Sequence, residues 1–475
     1  MIKEKNMPNQ VISVLNPNSR IKSGKTLRSQ DRKSPVIIES PEIMLPITAD
    51  QLLAKVGFLK EDEFADLGLK LGRISQQNAQ RLKKLGFAVF DDIPRKVVPK
   101  FPERTTSEPS RIPMLDPNPW GLRPVDPVQM TGVDKVREKY GLTGKGVTVA
   151  VIDSGIENPT VSLKGWLDYL DDSKTPIDPS GHGTHVSSDI LKMAPDAEII
   201  GIRVTNRDGI ALTSDIMKGI QWAISHKDEY GIKLMNLSLG EPSTSLFIPS
   251  PLNAAVDKAV KAGITVVCAA GNSGPKPGSI MVPAEEQDVI AVGSVLDPNT
   301  ISDFSSRGPN YLGKIRPDLL APGEDIVSYT PPGSEMAVEA RAQEKIRPLS
   351  QDQVLELLNE KPGLIKSLEL PKDIMTRPKA EIERLVKSSL NLHHPETGMV
   401  GAPGTSFSAP EVTGIAALLL EAESALSPGE LKQLLMESAR EIPGDYSHND
   451  QGAGLVDAQR AVKLLLSRTS KTRKN

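Results

Sequence analysis

The sequence predicts an α/β fold, in which a mostly parallel sheet carries helices on both faces and is joined by a small N-terminal unit and a helical insert. Three observations carry this expectation. From about Gly144 to Thr330, continuous apolar runs alternate with amphipathic helical stretches, the signature of a parallel sheet covered on both sides. A patterned region, 41–98, precedes the alternation, behind a Pro-rich stretch. A charged segment, 331–399, then interrupts the core for far longer than an ordinary loop.

The elements follow in order. Residues 1–40 are rich in Asn, Ser, Lys, Arg and Pro without hydrophobic period, which predicts a mobile leader. Within 41–98, Leu52, Leu53 and Val56 stand at helical spacing, Ser75–Leu85 reads as a helix ended by Gly86, and Phe87–Phe90 reads as a short strand. Residues 99–119 have linker composition. The main domain, 120–465, opens on the buried-strand run Gly146–Ile152, which ends at Asp153. Further strand runs are Ala197–Val204, Leu234–Leu239, Ile264–Ala270 and Val289–Val295, with helices expected over Ser214–His226 and Leu252–Ala262.

Inside the insert, Ser350 with Gln353 forms a capping-box pattern, and Thr376 precedes a helix carrying Ile382, Leu385 and Val386. Beyond it a helix is expected from Ser408, and Ser427-Pro428-Gly429-Glu430 opens another. The basic tail, 466–475, is expected to fray.

Composition narrows the function. The 475 residues carry 57 Lys plus Arg against 60 Asp plus Glu, a net charge of −3, so no broad basic field points to nucleic acid. The lone cysteine, Cys268, cannot form an internal disulfide and reads as core. Neither a signal-peptide core nor a membrane span is readable, and the expected location is cytoplasmic.

Three segments carry chemistry. Asp153 ends an apolar strand in Val151-Ile152-Asp153-Ser154-Gly155, His182 lies on the Gly-flanked turn Ser180-Gly181-His182-Gly183-Thr184-His185, and Ser406 lies in Gly404-Thr405-Ser406-Phe407-Ser408 before an apolar helix. A serine hydroxyl is a weak nucleophile until a base takes its proton. Imidazole is such a base, and a carboxylate on its other nitrogen fixes the tautomer. In Ala269-Ala270-Gly271-Asn272-Ser273-Gly274, the Asn272 amide could donate to a developing oxyanion beside the N–H of Ser406.

On these residues the chain resembles the subtilisin-like serine proteases, the subtilases, from about Trp120 to Ala461. The order Asp, His, Ser agrees, as do Asn236-Leu237-Ser238-Leu239-Gly240, Phe304-Ser305-Ser306-Arg307-Gly308-Pro309, Arg316-Pro317-Asp318 and Ala321-Pro322-Gly323. The resemblance implies a subtilisin-like fold and a serine endopeptidase using Asp153, His182 and Ser406, with Asn272 in the oxyanion hole and no cofactor. It implies substrate contacts at Gly209, Ile210, Ala211, Ser238, Leu239, Gly240, Ala270 and Gly271, with protein or peptide substrates as partners. Aligning Val282-Pro283-Ala284 places Met281 at the floor of the primary specificity pocket, which implies a preference for small residues such as Ala.

The resemblance also implies that 41–98 is a prodomain acting as an intramolecular inhibitor, with a cleavage point in 99–119. His185 is expected to be structural, and His393-His394 to lie in a solvated loop. The sequence departs from the family after His185, where a calcium-binding loop is missing, and at Thr160, where an acidic ligand often stands; no metal is assigned. A non-catalytic peptide-binding scaffold and a hydrolase of other acyl groups remain alternatives.

Overall fold

The structure, a computed structural model, describes residues 12–13, 33–39, 53–64, 69–84, 87–98, 126–243, 250–346, 348–367, 370, 373–388, 390, 392–394 and 397–472. The expected linker 99–119, Leu52 and the helix-ending Gly86 lie outside them.

The first sheet contradicts part of the leader reading. Lys33–Glu39 (β1) is a strand, flanked by Ile12–Ser13 and by Leu69–Ser75 (β3), with Leu59–Phe64 (β2) beyond β3. Its three apolar residues, Val36, Ile37 and Ile38, are all buried, and averaging over forty polar and basic residues hides so short a run. They alternate between two cores, as strand geometry requires. Val36 and Ile38 pack with Ile74, Leu82 and Phe87, whereas Ile37 joins Leu71 and Phe64 in the core of the main sheet.

Gln76–Lys84 (α1) supplies the expected helix, with Ser75 Oγ accepting from Asn78 N at 3.3 Å. Phe87–Phe90 is not a full strand: Val89 makes one isolated bridge to Ile38. Arg95–Lys96 (β4) then leaves this unit and pairs elsewhere, as described below.

The main sheet has eight strands. Its path runs Thr300–Ile301, Ile290–Asp297, Thr265–Ala269, Ile232–Leu237, Thr148–Asp153, Glu198–Arg203, Gly165–Asp168, and Leu319–Pro322 pairs with Ile290–Asp297. In chain order we label these Thr148–Asp153 (β5), Gly165–Asp168 (β6), Glu198–Arg203 (β7), Ile232–Leu237 (β9), Thr265–Ala269 (β10), Ile290–Asp297 (β11) and Leu319–Pro322 (β12), with the two-residue Ile210–Ala211 as β8. All main-sheet pairings are parallel except that of Thr300–Ile301. Along β5 the side chains alternate: Val149 and Val151 face one core, Ala150 and Ile152 the other.

On the first face lie His182–Met193 (α2) and Thr405–Ala422 (α8); on the second lie Thr213–Ser225 (α3) and Pro251–Lys261 (α4). Two expectations change here. His182 is the first residue of a helix rather than part of a turn, and the helix that carries Ser406 begins at Thr405 rather than Ser408.

The insert is closed at its base. Ile326–Tyr329 (β13) and Met399–Ala402 (β15) pair antiparallel, Tyr329 opposite Met399. Between them run Glu335–Glu344 (α5), Gln351–Glu360 (α6), which keeps the Ser350–Gln353 capping box, Gly363–Ser367 and Lys379–Ser388 (α7). Thr376 ends a 3₁₀ turn, and α7 follows it as expected, carrying Ile382, Leu385 and Val386. His393 and His394 are not in a loop: Leu392–His394 (β14) pairs with β15. Val354, Leu358, Ile374, Ile382 and Val386 give the insert a core of its own. Pro428–Ser438 (α9) starts with the expected capping box, and Ala458–Thr472 (α10) carries helix into the basic tail as far as Thr472, where fraying was expected.

Candidate active site

Asp153 closes β5 at the carboxyl edge of the sheet, where parallel α/β sheets hold their ligands. It is 1% exposed, and its Oδ1 accepts from His182 Nδ1 at 2.8 Å and from Ser154 N at 2.7 Å. The start of α2 approaches β5 so closely that a Cβ on Gly183 would stand 3.1 Å from Asp153 Cβ and 2.2 Å from Gly155 O. Only glycine fits there.

The turn that presents His182 is organised by Asp178, which sequence reasoning missed. Asp178 is buried; its Oδ1 accepts from Ser154 Oγ and Gly181 N, and its Oδ2 from Thr184 N, each at 2.8 Å. It thereby ties the first turn of α2 to the residue after Asp153. Burial pushes its carboxyl up, against the pull of those hydrogen bonds. An Asp four residues before a candidate helical His, ahead of Ser-Gly, is a capping signal that could have drawn attention.

Ser406 is the second residue of α8 and is 4% exposed. Its Oγ donates to Ser238 O at 3.0 Å rather than to His182, and Ser238 Oγ donates back to Ser406 O at 2.7 Å. The structure thus brings Asp153 and His182 into contact and ties Ser406 to the Ser238–Gly240 segment. Phe407 links the two sides, with its ring centroid 5.5 Å from that of His182.

Asn272 Oδ1 accepts from Thr405 N at 3.0 Å and Thr405 Oγ1 at 2.9 Å. With its oxygen so engaged, the amide presents Nδ2 beside Gly404, where an added Cβ would lie 3.4 Å from it.

The groove beside these residues holds part of the same chain. β4 pairs antiparallel with β8, Arg95 opposite Ala211 and Lys96 opposite Ile210. Val97 N and Val98 N donate to Gly209 O at 3.0 and 3.1 Å, and Gly240 N donates to Val97 O at 2.9 Å. The strip therefore lies between the two predicted substrate walls, with Val97 and Val98 buried. Arg95 Nη1 reaches Glu241 Oε2 at 2.9 Å and Thr213 Oγ1 at 3.1 Å, while Asp92 Oδ1 accepts from Ser214 N at 3.1 Å. Asp92 thus caps α3, whose own N-cap residue, Leu212, offers no side-chain bond.

Comparison with known proteins decides the family. The family model described as the subtilase family matches residues 144–454. Serine protease AprX of Bacillus subtilis (strain 168) is 33% identical over 358 residues, 69% of this chain and 68% of that protein. The chain belongs to the subtilase family. Subtilisin Savinase of Lederbergia lenta is 35% identical over 229 residues, 46% of this chain and 76% of that one. The crystal structure of a lanthipeptide protease shares the fold, with a TM-score of 0.51 at 22% identity over 71% of this chain and 93% of that chain. This subtilase is a subtilisin-like serine endopeptidase.

The remaining predicted residues of the subtilase fall as follows. Met281 N donates to Ala270 O at 2.9 Å, and a Cβ added at Gly271 would stand 2.5 Å from Met281 Cγ; one at Gly240 would stand 3.3 Å from Met281 Cβ. Met281 therefore sits between Gly240 and Gly271, two of the expected substrate contacts. Leu239 and Ala270 point into the core and offer only main chain. His185 is buried, its Nδ1 2.8 Å from Asp189 Oδ2 and its Nε2 3.0 Å from Val400 O. Cys268 is buried in β10, and burial pushes its thiol up. Thr160 donates from Oγ1 to Asn158 Oδ1 at 2.8 Å within its own turn. Among the described residues, the carboxylates that approach one another in a group of three are Asp257, Glu286 and Asp288, a surface cluster of ordinary kind. No helix among those residues is long and apolar enough to cross a membrane.

Proposed function

We propose that this subtilase cleaves peptide bonds through Asp153, His182 and Ser406 and is held inactive by its own N-terminal region. Ser406 Oγ attacks the scissile carbonyl while His182 Nε2 takes its proton. Asp153 holds the imidazole by the 2.8 Å bond to Nδ1, and His182 then returns the proton to the leaving amine. Asn272 Nδ2 and the Ser406 N–H receive the oxyanion, and water resolves the acyl-enzyme. The observation that carries the reading is the Asp153–His182 bond at the carboxyl end of a parallel sheet, beside a serine in the first turn of α8.

Self-inhibition is supported by the strip Arg95–Val98, which adds to β8 as an extended substrate would. Chain 99–119 would then carry the cleavage point. Met281 between Gly240 and Gly271 supports a shallow primary pocket that takes small residues such as Ala. A peptide-library profile dominated by Phe or Leu at the scissile bond would refute that preference.

The direct test is intact-mass spectrometry of wild type beside Ser406→Ala. Wild type alone should shorten, with a new terminus between Val97 and Pro119, and kcat on peptides should fall by roughly a million-fold, a magnitude carried over from subtilisin itself. If neither chain shortens and a fluorophosphonate does not label Ser406, the non-catalytic scaffold reading takes its place.

A further inference from the structure

The insert is the largest feature that this chemistry leaves unused, and its first helix reaches both sides of the cleft. Glu335 N donates to Pro179 O at 2.9 Å and Met336 N to Ser180 O at 3.0 Å, so the first turn of α5 is bonded main chain to main chain with the turn before His182. The packing there is tight: a Cβ on Gly181 would stand 2.5 Å from Ser334 Oγ and 3.1 Å from Met336 Cβ. Met336 and Ala340 belong to the core of the main sheet, unlike α6 and α7, which have their own.

From this anchored turn the Glu335 side chain crosses to the groove edge. Its Oε2 lies 2.7 Å from Arg207 Nε. Arg207 stands two residues before Gly209, whose carbonyl receives Val97 N and Val98 N. The edge turn is itself stiff, because Asn206 Oδ1 accepts from Asp208 N and Ile210 N, both at 3.0 Å. A residue of the insert and a residue of the substrate edge, 128 positions apart, thus join across the space between the His182 turn and the groove.

We infer that Arg207 and Glu335 determine specificity: their ion pair straps the insert to the groove edge and limits the size of the side chain accepted opposite Gly209. The inference rests on the protease reading above. β-Branched, medium-sized residues such as the Val97–Val98 pair fit the strapped groove, and large aromatic residues are disfavoured. The two side chains are 50% and 46% exposed, so the strap is a modest one. An exposed pair shifts an equilibrium by no more than about fivefold and weakens with salt.

The test uses processed enzyme and a positional-scanning peptide library over the four residues before the scissile bond. Arg207→Ala and Glu335→Ala should each raise kcat/KM for Phe, Tyr and Trp relative to Val at one position by twofold to fivefold. The change should fall mainly on KM, with kcat on the best substrate held within twofold. The double variant Arg207→Glu with Glu335→Arg should restore the wild-type preference, and 1 M NaCl should relax wild type towards the single variants. Unchanged profiles in both single variants, or a charge swap that fails to restore the preference, would overturn the inference. Fluorophosphonate labelling of Ser406 separates the two readings: labelled enzyme with an unaltered profile sinks only the strap, and unlabelled enzyme sinks the protease reading beneath it.

Discussion

The strip Arg95–Val98 and helix α5 lean on the same turn of the groove, and they do so by opposite means. The strip enters as a strand, through main-chain bonds to Gly209 and Gly240 that any extended peptide could make. Its particular hold comes from side chains: Arg95 on Glu241, Lys96 on Asp208 O and, just ahead of the strip, Asp92 on Ser214 N. Helix α5 makes no bond that a substrate would need. It grips Pro179 O and Ser180 O, and both ends of its segment are fixed by the antiparallel pair β13–β15. The strip therefore has the contacts of a ligand, exchangeable for substrate, whereas α5 has those of a permanent wall. A tether at both ends keeps α5 at high local concentration whatever occupies the groove.

The sharpest way to break that contrast is Gly181→Ala. Gly181 has φ +89°, where an L side chain is strained by about 1–2 kcal/mol, and its added methyl would meet Ser334 Oγ at 2.5 Å. Displacing α5 from the His182 turn should lower kcat at least tenfold and slow fluorophosphonate labelling of Ser406 in parallel. Amide exchange at 209–211, where the strip pairs, should stay as in wild type. A kcat within twofold of wild type would mean that the insert does not hold the His182 turn.

What the sequence disclosed follows from how far each contact reaches along the chain. The strand runs ending near Asp153 and Asn272 were legible because continuous apolar residues mark buried parallel strands, and the capping boxes at Ser350 and Ser427 because their partners lie three residues away. Asp178 was not, since its bond to Ser154 spans 24 residues and a lone loop Asp reads as turn chemistry. Asp92 capping Ser214 spans 122 residues, and Arg207 to Glu335 spans 128. The strand Lys33–Glu39 escaped for another reason: its apolar run is only three residues long, and its pairing with β3 supplies the stability that its composition lacks. The helix at His182 was hidden because two glycines flank its first residue: the N-cap is Gly181, which has no side chain, and the capping carboxylate, Asp178, stands three residues ahead of it.

The strip's ligand-like character can be sharpened with pH, at smaller expected effect. Burial against α3 pushes the Asp92 carboxyl up to about 7 from its ordinary 3.8, with Asp215 adding to the rise and Ser214 N and Lys218 opposing it. The docked strip thus binds a proton that the undocked strip lacks between these values. Docking is strongest below about pH 4 and weakens as pH rises to about 7, by up to tenfold per unit. Burial raises Glu241 as well, but the strip's own Arg95 pulls it down, so Asp92 is the carboxyl that sets this slope. Asp92→Asn should flatten the dependence. The measurement is hydrogen exchange over residues 92–98 in the full chain carrying Ser406→Ala, at pH 5.5 and 7.5, corrected for intrinsic rates. Exposure of the strip should grow with pH in the parent and much less in Asp92→Asn. Equal pH slopes in the two chains would show that Asp92 caps α3 without governing release, and would move the strip towards the permanent contacts that α5 makes.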